Sequence, residues 1–98
     1  MPYIVKIAHA AETDLRDAFL WYEDQKENLG SRFEANVYQA IDNIQNNPLK
    51  FQIRYGRTRI SFLRKFPYGI HFQIKENQIL ILAVFHTSQD SEKWDKRK

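Results

Sequence analysis

Apolar residues fall three and four positions apart from Leu15 to Ile44, then two apart from Ile60 to Ile74. That change of period limits the chain to an α+β arrangement in which a pair of helices precedes most of a sheet. Leu15, Ala18, Phe19 and Tyr22 form one helical stripe, and Glu12, Asp14, Asp17, Glu23 and Asp24 charge the remaining surface of that helix. The spacing predicts a first helix from about Ala11 to about Asn28, with Gly30 as a positive-φ stop. The next residues, SRFE at 31–34, have the S-x-x-E spacing in which the serine caps the N3 amide and the glutamate bonds back. Phe33, Val37, Ala40, Ile41 and Ile44 make the second stripe, which ends before the NNP at 46–48 because proline disfavours helix in the residue before it. So short a connection predicts an antiparallel helical hairpin.

Strand patterns flank this hairpin. Residues 3–7 read as a short strand, and residues 58–63 alternate Ile60 and Phe62 with Arg59 and Ser61. Tyr68, Ile70, Phe72 and Ile74 share a face opposite His71 and Gln73; KENQ at 75–78 is a hairpin turn; and ILILAVF at 79–85 is apolar throughout, as in an interior strand. The expected fold is an N-terminal strand and an antiparallel helical hairpin packed on one face of a mainly antiparallel four-stranded sheet, with residues 1–98 as a single domain. Helices cover one side of so small a sheet. His71, Gln73 and one parity of residues 59–64 are therefore expected to look outward as a basic, half-open surface.

The charges are unevenly placed. Residues 1–50 hold five Lys/Arg against eight Asp/Glu, residues 51–98 hold ten against four, and no acid stands between Asn43 and Lys75. Arg54, Arg57, Arg59, Arg64 and Lys65 crowd one segment of that acid-free stretch, which favours a polyanionic or acidic partner. Cysteine is absent, so disulfides and thiolate zinc sites are excluded and a reducing cytoplasm is expected. The longest apolar run is too short to cross a bilayer, and the N-terminus lacks the layout of a signal peptide, so no membrane partner is expected. His9, His71 and His86 are spaced like no metal-ligand motif, and no metal or other cofactor is expected. SEKW at 91–94 reads as a short terminal helix whose Trp94 either docks on the sheet or contacts a target, and the final KWDKRK reads as a solvated tail.

The ordered set LWYEDQ, LGSRF, NNP, FPY and VFHTS-x-D-x-x-x-W resembles the ParE branch of the RelE/ParE toxins over nearly the whole chain. The resemblance implies a helical hairpin on an antiparallel sheet. It also implies the toxin of a type II toxin–antitoxin (plasmid stabilisation) system, held in a hetero-oligomer by a cognate antitoxin with an acidic, amphipathic C-terminal segment. The best-known activity of that branch is inhibition of DNA gyrase by binding, which implies Arg54, Arg57, Arg59, Arg64, Lys65, His71 and Trp94 as candidate partner contacts.

Two alternatives remain open at this point. One is a RelE-like endonuclease that cuts mRNA on the ribosome, in which His86 titrates while Arg59 and Arg64 hold phosphate. Related RNA-cutting toxins begin the penultimate strand with arginine and often follow the terminal histidine with tyrosine, where this chain has Tyr68 and Thr87. The other is a degenerate toxin that only binds antitoxin, a reading suggested by Gln89 where the family commonly has arginine. His86 otherwise closes its strand, with its ring hydrogen-bonded to backbone and packed under Trp94.

Overall fold

Strand β5 (Gln78–His86) lies inside the sheet, where its long apolar run fits an interior strand. The computed structural model describes residues 3–88; Gln89, Trp94 and the basic tail lie outside the described residues. Around β5 stand β1 (Ile4–Ile7), β2 (Ile53–Tyr55), β3 (Thr58–Phe62) and β4 (Tyr68–Lys75), in the order β1-β5-β4-β3-β2. The β1–β5 pair is parallel and the other pairs are antiparallel, so the sheet is mixed. It has five strands where four were expected. The extra one, β2, spans three residues, too short for alternation to reveal it.

A register shift explains why β5 shows no alternation. His71 pairs with Ala83 and Phe72 with Ile81, so Leu82 is extra and the parity of β5 resets there. Ile79, Ile81 and, past the bulge, Val84 thus all join the core beneath the helices, together with Ile70 and Phe72 of β4.

Helices α1 (His9–Gln25) and α2 (Leu29–Asn46) supply the other side of that core. Ala11, Ala18 and Tyr22 of α1 and Phe33, Val37, Ile41 and Ile44 of α2 are buried, and Leu15 and Ala40 pack against them, so both sequence stripes apart from Phe19 join the core on the sheet. Tyr22, Phe33, Phe66 and Tyr68 form an aromatic cluster with ring centroids 5.0–6.1 Å apart.

The junction between the helices differs from its expected form. α1 ends at Gln25 and α2 starts at Leu29, with the left-handed residue at Asn28 (φ 71°) rather than Gly30. Asparagine tolerates that conformation. The cap comes from α1, whose Glu23 carboxylate accepts the N–H groups of Asn28 (2.9 Å) and Gly30 (3.0 Å), so Ser31 stands exposed inside the helix instead of capping it. Gly30 is needed for close approach, since a Cβ there would sit 2.6 Å from the Phe19 carbonyl oxygen.

On the sheet face away from the helices, the register overturns the expected basic surface. Ile60 pairs with His71 and Phe62 with Gly69, so these share the outer face, whereas Arg59 and Ser61 pair with the core residues Phe72 and Ile70. His71 is only 2% exposed, with its Nδ1 2.8 Å from the Tyr55 hydroxyl and its ring 5.1 Å from that of Phe85. Gln73 donates to Thr58 Oγ1 (3.1 Å). On this face His71 and Gln73 are hydrogen-bonded to Tyr55 and Thr58 between apolar neighbours rather than turned to solvent. Among the described residues, no helix is long and apolar enough to cross a membrane.

Two substitutions test the helix junction. Gly30→Ala gains about 1 kcal/mol of helix propensity but drives a Cβ into a backbone oxygen, and overpacking of that kind costs about 1–3 kcal/mol. Urea unfolding should therefore show a net loss. Glu23→Ala should cost about 1 kcal/mol by removing the cap.

Candidate functional site

The six candidate contacts among the described residues do not form one surface. Arg59, on the helix side of β3, donates from its guanidinium to the Phe51 carbonyl, and the Phe51 ring packs edge-on against Phe72 with centroids 5.6 Å apart. This arginine ties the segment after α2 to the sheet. Arg54 lies over the half-exposed Phe62 ring, its guanidinium carbon 5.6 Å from the centroid, and Arg57 is exposed in the β2–β3 turn. His71 is buried as described, and Trp94 lies outside the described residues.

Arg64 and Lys65 meet Lys50 in one place. All three line a 530 Å³ cleft whose opposite wall is α2, through Asn36, Gln39 and Asn43. β2 pairs with β3 only at Thr58 and Arg59, so among the described residues no strand borders the outer edge of residues 60–62 beside the cleft. Three cations and three amides next to an unpaired strand edge suit carboxylates, phosphates or an extended acidic segment.

His86 is elsewhere. It ends β5, its ring lies edge-on to Tyr68 at 5.1 Å, and its Nδ1 accepts the Ser88 backbone N–H (3.0 Å) with the Ser88 hydroxyl 2.7 Å away. Because the backbone N–H can only donate, Nδ1 is an acceptor and the proton of the neutral ring sits on Nε2. β4 separates β5 from β3, so His86 and the residue following β3 stand about 10 Å apart across two strand spacings. Arg59 is engaged by the Phe51 carbonyl, Arg64 lines the cleft at α2, and His86 lines a different concavity beside α1.

A second concavity went unread in the sequence. Asp14, Asp17 and Trp21 of α1, with Pro67, Tyr68 and His86 from the facing end of the sheet, line a 560 Å³ pocket. The helical pattern puts Asp14 and Asp17 on the charged surface of α1, where positions 14, 17 and 21 follow one another along a single face. Asp14 is fixed by the sheet. β1 ends at Ile7, opposite Ile81, and further along the edge it leaves the Asp14 carboxylate accepts the Val84 N–H at 3.0 Å. Burial, then the neighbouring Tyr22 and then the charge of Asp14 raise the Tyr68 phenol above its ordinary value of 10.0.

A family model for the ParE toxin of type II toxin–antitoxin systems matches residues 5–91. Among solved structures, the chain is similar to one from the chromosomal ParDE system of P. aeruginosa, with a TM-score of 0.78, 16% identity, and coverage of 86% of this chain and 95% of that one. It is also similar to one from the RelBE2 toxin–antitoxin complex of Mycobacterium tuberculosis, with a TM-score of 0.63, 24% identity, and coverage of 88% and 99%. At these identities the likeness establishes the fold, a helical hairpin on a mixed sheet. No curated protein gives a significant sequence match.

The Asp14 contact and the Tyr68 phenol can be tested by stability. Asp14→Ala leaves the Val84 N–H unpaired and should cost about 1–3 kcal/mol, with faster amide exchange at Val84, whereas Asp14→Asn keeps an acceptor and most of the stability. A phenol whose folded pKa is raised stabilises the fold below 10.0, and that contribution is lost as pH rises through the folded value. Unfolding free energy measured through this alkaline range should fall, and fall less in Tyr68→Phe.

Proposed function

This chain belongs to the ParE toxin family of type II toxin–antitoxin systems, and from that premise we propose that it disables DNA gyrase by binding it through the basic cleft at α2. A cognate antitoxin with an acidic, amphipathic C-terminal segment neutralises it by occupying the same cleft. The observation that supports binding over RNA cleavage is the commitment of Arg59 to the Phe51 carbonyl, with His86 two strands away from the cleft cations. Hydrolytic chemistry on a phosphodiester needs a base, an acid and a cation around one phosphorus. Here the cations and the histidine serve different places.

Lys50, Arg64 and Lys65 attract an acidic partner over distance, and the free edge of β3 offers main-chain bonds once an extended segment arrives. Ordering a disordered tail costs on the order of 2–5 kcal/mol, so the antitoxin interface extends beyond the cleft itself. Such a complex is a hetero-oligomer, and gyrase as the target places the toxin in the cytoplasm.

Supercoiling by purified gyrase should be inhibited by micromolar protein and restored by antitoxin. Changing Lys50, Arg64 and Lys65 together to glutamate should weaken inhibition about tenfold or more, while His86→Ala leaves it within about twofold. Primer extension on translated mRNA is the contrary arm: new 5′ ends that vanish in His86→Ala would overturn the proposal in favour of a ribosome-dependent nuclease. Harmless expression without antitoxin, with antitoxin binding intact, would instead identify a degenerate toxin.

A further inference from the structure

The pocket between α1 and the β4–β5 end differs from the cleft in every lining residue and carries the opposite charge. Among the described residues no lysine or arginine lines it. Its two carboxylates differ in state: Asp14 is engaged by the Val84 N–H, whereas Asp17 is exposed and has no hydrogen-bond or ion-pair partner among the described residues. One turn further along α1, Trp21 is 58% exposed and its ring meets Tyr22 edge-on at 5.1 Å, an arrangement that leaves indole surface available for stacking. Tyr68 stands across the pocket, its phenol pKa raised by burial first and then by Tyr22 and Asp14.

Acidic groups flanked by aromatic rings select an organic cation. A bound metal is disfavoured, since no group of three or more His, Cys, Asp or Glu that could hold one occurs among the described residues. Between the two cationic side chains, the flat guanidinium can stack on an indole while forking to a carboxylate, whereas an ammonium is a compact point charge with no stacking face. The 560 Å³ volume is larger than one guanidinium requires and lies in the range of sites that take a whole side chain with part of its backbone.

We propose that this pocket binds an arginine side chain presented by a protein partner, with Asp17 pairing the guanidinium and Trp21 stacking on it. The site is independent of the basic cleft, so the proposed gyrase and antitoxin contacts stand or fall separately.

Titration of the full-length, ¹⁵N-labelled protein with N-acetyl-arginine methylamide tests it, with the citrulline and lysine analogues run in parallel. Citrulline keeps the shape of arginine and removes its charge. The Trp21 indole N–H and the amides around Asp17 should shift with a dissociation constant on the order of 1–10 mM. The citrulline and lysine probes should bind about tenfold and about threefold more weakly, and Asp17→Asn and Trp21→Leu should each weaken arginine binding about fivefold or more. Both substitutions are at exposed positions, and an unchanged melting temperature confirms their folding. Equal binding of citrulline, equal binding of lysine, insensitivity to Asp17→Asn, or shifts confined to the Lys50–Arg64 cleft would each overturn the assignment.

Discussion

Among the described residues β5 has a strand on both edges for only half its length, and the way the chain completes the other half fixes where everything else sits. β1 pairs with Gln78 to Ile81 and then turns into α1, which returns a carboxylate, Asp14, to the Val84 N–H. A buried donor left unpaired costs more than an ordinary hydrogen bond contributes, so this contact constrains α1 strongly. With α1 held over β5, the close approach at Gly30 and the Glu23 cap set α2 beside it. The concavities follow from that placement, one between α1 and the end of β4–β5, the other between α2 and the unpaired stretch of β3.

The charge asymmetry of the sequence becomes a spatial one by this route. Acids of the first helix line one concavity, and bases from the segments after α2 and β3 line the other. A protein built this way presents opposite fields on two separate concavities. Charge of this kind contributes more to encounter rate and partner choice than to raw affinity.

Much of the fold was legible because burial leaves a periodic trace. Both helical stripes, the Tyr68 to Ile74 face and the KENQ turn follow from spacing, and the structure has all of them. Three features left no such trace. β2 is three residues long, the Leu82 bulge resets parity inside a uniformly apolar run, and the cap at Asn28 comes from Glu23, which no local capping motif marks. The candidate site was less legible for a related reason. Counting cations along the chain cannot tell Arg59, which points under the sheet to the Phe51 carbonyl, from Arg64, which lines a cleft, because the difference depends on strand register. His71 was misplaced likewise: alternation assigned it to the correct face, but Tyr55 and Phe85 bury it there. The acidic pocket was hidden because a carboxylate on a helix reads as solvated unless its tertiary neighbour is known.

Toxicity through a gripping cleft rather than through a reactive centre is the claim on which the functional account turns. Site-specific photocrosslinking addresses it most directly, with a photoreactive residue placed at Gln39, on the α2 wall of the cleft, or at Leu80, exposed on β5. A covalent adduct with gyrase is expected from position 39, abolished by prior addition of antitoxin, with little adduct from position 80. Adducts from position 80 with none from position 39 would contradict the claim.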